Sequence, residues 1–164
     1  MNFQSFFFQA MDRYVPELYQ TVPGLSLNLG AGNKHIPGAY SLDYPEWDAD
    51  KEPIPYSDNT ISSIYAYHFL EHCKDPVKVL LECQRILIKG GIMNICVPYY
   101  TSQMQAHDLD HKHTFCEDTW KILFNNPYYD KNRINWKFKI GFNMVCGIVE
   151  RNLCLLTQLR KEVS

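Results

Sequence analysis

Apolar and polar residues alternate in two short early stretches and recur at helical spacing in one longer stretch, and these patterns frame the chain. "LSLNL" (25–29) is apolar at every other position and runs into glycines, which predicts a short strand followed by a turn. "AYSLDY" (39–44) predicts a second strand, and "TISSIYAY" (60–67) a third, rich in β-branched and aromatic residues. Between them, 45–59 is dense in Pro, Asp and Ser and reads as loop. "DPVKVLLECQRILIKGG" places Val77, Leu80, Leu81, Ile86 and Leu87 at helical spacing, opens with Asp75 as N-cap and Pro76 in the first turn, and stops at Gly90 and Gly91. "IMNICVP" (92–98) is the next strand, "TSQMQAHDLDHKH" a polar loop, "CEDTWKILFNN" a helix, "WKFKIGF" an alternating strand and "GIVERNLCLLTQLRK" a closing helix. Ahead of them, "SFFFQAMDRYVPELY" predicts an amphipathic helix packed on the core. Strands alternating with helices predict an α/β domain with a mostly parallel sheet.

Length and composition add bounds. The 164 residues, 46% hydrophobic, suit one domain, divided into an N-terminal helix (1–24), a core (25–120) and a C-terminal strand and helix (121–164). Sixteen basic against 18 acidic side chains give a net charge of -2, which does not favour a polyanion, so nucleic acid is not an expected partner. The six cysteines form no CxxC pair and read as reduced thiols. No run reaches the ~18 apolar residues of a membrane span. The N-terminus lacks a signal peptide's basic leader, and a soluble, cytoplasmic protein is expected.

Open α/β sheets bind ligands beyond the carboxyl ends of their strands, so those ends carry the functional reading. "LGAG" ends the first strand, Asp43 the second, and Asp50 precedes "PIPYSDN". Glycines let a ligand lie against the backbone, one carboxylate accepts both ribose hydroxyls, and a second accepts from an exocyclic amine, which describes an adenosine site. Phosphate cradles fit poorly: GxGxxG needs glycine where His35 stands, and there is no GK followed by Ser or Thr. Two carboxylates without phosphate binding suit a cationic nucleoside, a description that S-adenosylmethionine meets.

The ordered run "LNLGAGN…SLDY…DADKEPIPYSDNTISSIYAYHFLEHCKDPVKVLLECQRILIKGGIMNICVP" resembles the class I S-adenosylmethionine-dependent methyltransferases, of the small methyltransferase-11-like type, over about residues 25 to 120. The resemblance implies a Rossmann-like fold, S-adenosyl-L-methionine as cofactor and methyl transfer to a small-molecule or glycan-like acceptor. It places Gly30, Ala31 and Gly32 beneath the methionine part, Asp43 on the ribose, Asp50 with Ala49 or Lys51 beside the adenine, and Tyr67 and His68 on the methyl-transfer side. Asn28 stands where the family carries an acidic residue. Only thirteen residues separate Gly30 from Asp43, so the first crossover helix is expected to shrink to a turn around "NKHIPG". Relatives continue into a last antiparallel strand, so the sheet is expected to be one strand short or to draw that strand from elsewhere. A homodimer is one way to cover the resulting edge.

"AHDLDHKHTF" gathers His107, Asp108, Asp110, His111 and His113. The favoured reading is a loop closing over the acceptor, with His111 or Asp108 as base or anchor and no metal; a metal-dependent hydrolase is the weaker alternative. Methyl transfer to a hydroxyl asks only for alignment and removal of a proton, which points to His111, with His68 or His72 as the other candidates. Glu71 and His72 also suit a role in pinning the loop before Asp75. A non-catalytic module that binds S-adenosylmethionine is the competing reading from another class.

Overall fold

The computed structural model describes residues 22–33, 35–125, 134–149 and 152–163. Residues 1–21 of the helix expected over 1–24 lie outside the described residues. Six strands form one sheet: β1 Leu25–Leu29, β2 Ala39–Leu42, β3 Ile61–Tyr67, β4 Leu87–Pro98, β5 Phe138–Val149 and β6 Asn152–Lys161. Their order is β2-β1-β3-β4-β6-β5. The first four pair in parallel, β6 runs antiparallel to β4, and β5 runs antiparallel to β6.

The sequence pattern explains this placement. Every residue of β3 is buried, as a central strand covered on both faces requires. Ile64 and Ala66 join a cluster with Leu27 and Leu29, while Tyr65 and Tyr67 join a second cluster with Ile36, Cys96, Cys154 and Leu156. Helix α1 (Pro76–Ile86) covers the first cluster with Val79, Leu80, Cys83 and Ile86. Asp75 caps it, accepting from the Lys78 N–H at 3.0 Å, and Pro76 opens it, as the sequence indicates. The connection from β1 to β2 has no helix among its described residues, in line with its thirteen-residue span.

Three expectations are corrected. Helix α1 stops at Ile86, not Gly90, because Leu87 turns extended and pairs with Ile61. Residues 88–91 then form an excursion before Ile92 meets Ser63, and Gly90, at φ +77, supplies its left-handed backbone. The polar loop contains a five-residue helix α2 (Gln103–His107), capped by Ser102. The closing segment is not a helix: its first residues finish β5, and "NLCLLTQLRK" is β6. Leu153, Leu155, Leu156 and Leu159 fit a helical stripe, but β6 lies between β4 and β5 and is buried from Cys154 to Leu159. A strand covered on both faces loses its alternation. This segment is the antiparallel strand the sequence appeared to lack. Helix α3 (Asp118–Asn125) forms where expected.

Arg85 ties the 54–58 loop to α1, donating to the carbonyls of Ile54 and Tyr56 and to Glu82 and Asp58 at 2.7–3.0 Å. The Arg85 hydrogen bond holds the Glu82 carboxyl below its ordinary range, against burial. A depressed carboxyl contributes stability above its unfolded value and loses it as pH falls through the folded one. Arg85→Ala is therefore expected to destabilise by about 1–3 kcal/mol at neutral pH. The difference should shrink in acid, as read from urea midpoints across pH.

Candidate functional site

Two strand ends and the loop between them meet around one hollow. Asp43 and Tyr44 follow β2, Trp47 to Asp50 lie in the loop beyond, and Phe69, His72 and Cys73 follow β3; together they line a cavity of about 160 Å³. Asp43 and Asp50 thus face the same space, as the adenosine reading requires. Gly32 N–H and Tyr44 N–H donate to the two Asp43 oxygens, and each oxygen keeps a second lone pair. Asp50 accepts from the Lys74 N–H at 2.8 Å through Oδ1, leaving Oδ2 for another donor. The Trp47 and Phe69 rings lie 6.1 Å apart.

The two glycines of the loop do different work. Gly30 (φ +61) lies under Phe69, and a Cβ there would come within 2.2 Å of the ring. Gly32 (φ +50) has no heavy atom within 4 Å of the corresponding position, so its backbone faces open space that a side chain would fill. Gly30→Ala is expected to cost about 2–4 kcal/mol in stability from overpacking and left-handed strain. Gly32→Ala should cost about 1–2 kcal/mol, from strain alone. Denaturant midpoints for the two variants check the contrast.

The remaining expected residues fall elsewhere. Ala31 is buried beside the loop, and Asn28 is buried in β1 between Leu27 and Leu29, which belong to the α1-side core. Lys51 is exposed and paired with Asp48 at 2.8 Å, outside the lining of the hollow. Tyr67 is buried against Tyr65, also outside that lining.

The histidine loop docks on the turn after β3. The carbonyl of Glu71 accepts from the Lys112 and His113 N–H groups, and the Lys112 ammonium donates to the His72 carbonyl at 2.6 Å. These contacts run through main-chain carbonyls of Glu71 and His72 and hold 112–113, not the loop before Asp75. The His111 side chain is only 7% exposed, with Nδ1 3.4 Å from the Gln105 carbonyl and Nε2 3.7 Å from Asp108. His72, by contrast, lines the hollow, and its Nδ1 contacts Asp110 at 3.2 Å. Lys112 first, and His72 second, hold the Asp110 carboxyl below its ordinary range. Trp47, Phe69 and Cys73 were not singled out from the sequence; only the turn after β3 brings them together.

His68 points to a different neighbourhood. Its Nε2 approaches the sulfurs of Cys96 and Cys154, and its Nδ1 lies 3.3 Å from Glu71. Burial pushes this imidazole down, but Cys154 and Glu71 outweigh it and bring it up to about 9. Burial raises Cys96, whereas Cys154 is held below its ordinary value by its contacts with Cys96 and His68.

Residues 26–95, from β1 into β4, match the family model described as Methyltransferase domain. No curated protein matches the chain significantly. Among solved structures, it is similar to a SAM-dependent methyltransferase from Aquifex aeolicus (14% identity, 92% of this chain and 88% of that one, TM-score 0.64). It is also similar to one from Archaeoglobus fulgidus (16%, 96% and 94%, TM-score 0.63). A third similar chain comes from the complex between the Haloferax volcanii Trm112 methyltransferase activator and a methyltransferase (13%, 97% and 93%, TM-score 0.64). At such identities the likeness establishes the fold: an α/β Rossmann-like architecture on a mixed, mostly parallel sheet. Among the described residues no helix is long and apolar enough to cross a membrane.

Proposed function

We propose that this chain, which carries a methyltransferase domain on the S-adenosylmethionine-dependent methyltransferase fold, methylates a hydroxyl of a small-molecule or glycan-like acceptor. The observation that carries the reading is the hollow that Asp43 and Asp50 line together, beside the open backbone of Gly32. The residues fit the cofactor: two carboxylates with spare lone pairs, aromatic rings for a flat base, and a glycine whose missing side chain leaves room. Bound S-adenosylmethionine supplies an already activated methyl group.

The chain's residues then divide the remaining work. Asp43 accepts from the ribose hydroxyls, and Asp50 Oδ2 from the adenine amine. Trp47 and Phe69 flank the base. His72, rather than His111, takes the acceptor's proton at Nε2, with Asp110 orienting the ring through Nδ1. The net charge of -2 favours a small acceptor over a polyanion such as nucleic acid.

Calorimetry with S-adenosylmethionine and S-adenosylhomocysteine tests the site, and formation of S-adenosylhomocysteine with a panel of hydroxyl acceptors tests the reaction. Micromolar binding with turnover is expected. Binding of neither ligand overturns the assignment; binding without turnover on any acceptor would select the non-catalytic module.

A further inference from the structure

At the carboxyl ends of β3 and β4, beside the hollow but not lining it, three side chains from distant parts of the chain converge. His68 follows β3, Cys96 lies on β4 and Cys154 on β6. His68 Nε2 is 3.8 Å from the Cys96 sulfur and 4.0 Å from the Cys154 sulfur, and the three ligating atoms all lie within 4.8 Å of one another. Both cysteines are fully buried, while the His68 side chain is 13% exposed and leaves a way in from solvent.

Two further observations bear on the trio. His68 holds φ at +53, a left-handed backbone that a side-chain-bearing residue adopts at a cost, and it aims the ring at the two sulfurs. Behind the ring stands Glu71, with zero exposure and neither carboxylate oxygen hydrogen-bonded among the described residues; one of them lies 3.3 Å from His68 Nδ1 as an ion pair. A buried carboxylate with so little compensation is expensive unless it answers a positive charge. A carboxylate behind the far nitrogen is also the usual outer partner of a metal-bound histidine, holding the ring with its other nitrogen toward the ion.

We propose that His68 Nε2, Cys96 Sγ and Cys154 Sγ form a three-ligand site for a thiophilic divalent cation, zinc by its ligand set, with the fourth position open. Bond lengths of about 2.0–2.1 Å to nitrogen and 2.3 Å to sulfur put nitrogen and sulfur about 3.6 Å apart around a tetrahedral ion. The histidine nitrogen therefore closes on each sulfur by only a few tenths of an ångström. The ion clamps β6 to the parallel half of the sheet, just before the turn that presents His72. Glu71, His72 and His111 make a second cluster of similar size, but both His111 nitrogens and His72 Nδ1 already have partners. It also shares Glu71 with the first cluster, where that carboxylate stands behind His68.

The test uses the full chain, reduced and stripped of metal, titrated with zinc against a chromophoric chelator and with cobalt by absorbance. One equivalent of zinc should bind at submicromolar concentration, and cobalt should give a thiolate charge-transfer band. Cys96→Ser and Cys154→Ser should each weaken zinc at least 100-fold, and His68→Ala at least 10-fold. Cys146→Ser, on the strand facing Cys154 but outside the trio, and His111→Ala should leave affinity within threefold. The wild-type cobalt spectrum keeps the test decisive if a cysteine variant fails to fold. Absence of the thiolate band, affinity weaker than 100 μM, or loss of the metal in His111→Ala overturns the proposal.

Discussion

Asp43→Ala lowers the affinity for S-adenosylmethionine about 30- to 200-fold, the equivalent of about 2–3 kcal/mol. Part of that loss is the charge-assisted hydrogen bond to the ribose, about 1.5–3 kcal/mol on its own. The rest comes from the loop, because Asp43 accepts the N–H groups of Gly32 and Tyr44 and so holds the glycine bend against the end of β2. Without the carboxylate, those donors turn to water and the loop must be reordered when ligand arrives. Asp43→Asn separates the contributions: it keeps one acceptor for the loop, loses the charge, and should fall between alanine and wild type. Because Asp43 is only half-buried, the thermal midpoint should move by no more than a few degrees. Calorimetric affinities within twofold of wild type would remove Asp43 from the site.

The legible features of this chain are those whose cause is local. The cap and proline of α1, the glycine bend and the carboxylate ending β2 each rest on residues adjacent in sequence, and each appears as read. Strand β6 was misread because what makes it a strand is pairing with β4 and β5 across the sheet, which erased the alternation that marks an exposed face. The histidine loop and the turn it docks on each offer a candidate base in the sequence, but His111 and His72 differ only through tertiary contacts. Gln105 and Asp108 of its own segment face the two His111 nitrogens, whereas His72, on the turn where 112–113 dock, faces the hollow. Cys154 stands 86 residues from His68, so no local pattern connects them.

His72→Ala is expected to lower the turnover rate about 10²- to 10⁴-fold, the range for losing a positioned general base, while cofactor affinity changes less than threefold. The split matters because a purely structural His72 would affect both together. Lys112 bridges the His72 carbonyl and the Asp110 carboxylate, so backbone and ring orientation are set by the same pair of residues. Asp110 is 71% exposed, and the screening that follows makes its hold on the ring modest; Asp110→Asn should cost less than tenfold. That hold persists into acid, since Lys112 and His72 keep the Asp110 carboxyl ionised below its ordinary range, and it is lost only as pH falls through the depressed value. Added imidazole should restore part of the lost rate in the alanine variant, because the hollow vacated by the side chain opens beside the acceptor. If instead His111→Ala lowers the turnover rate by that amount and His72→Ala leaves it intact, the base is His111 and its buried ring must turn before the acceptor reacts.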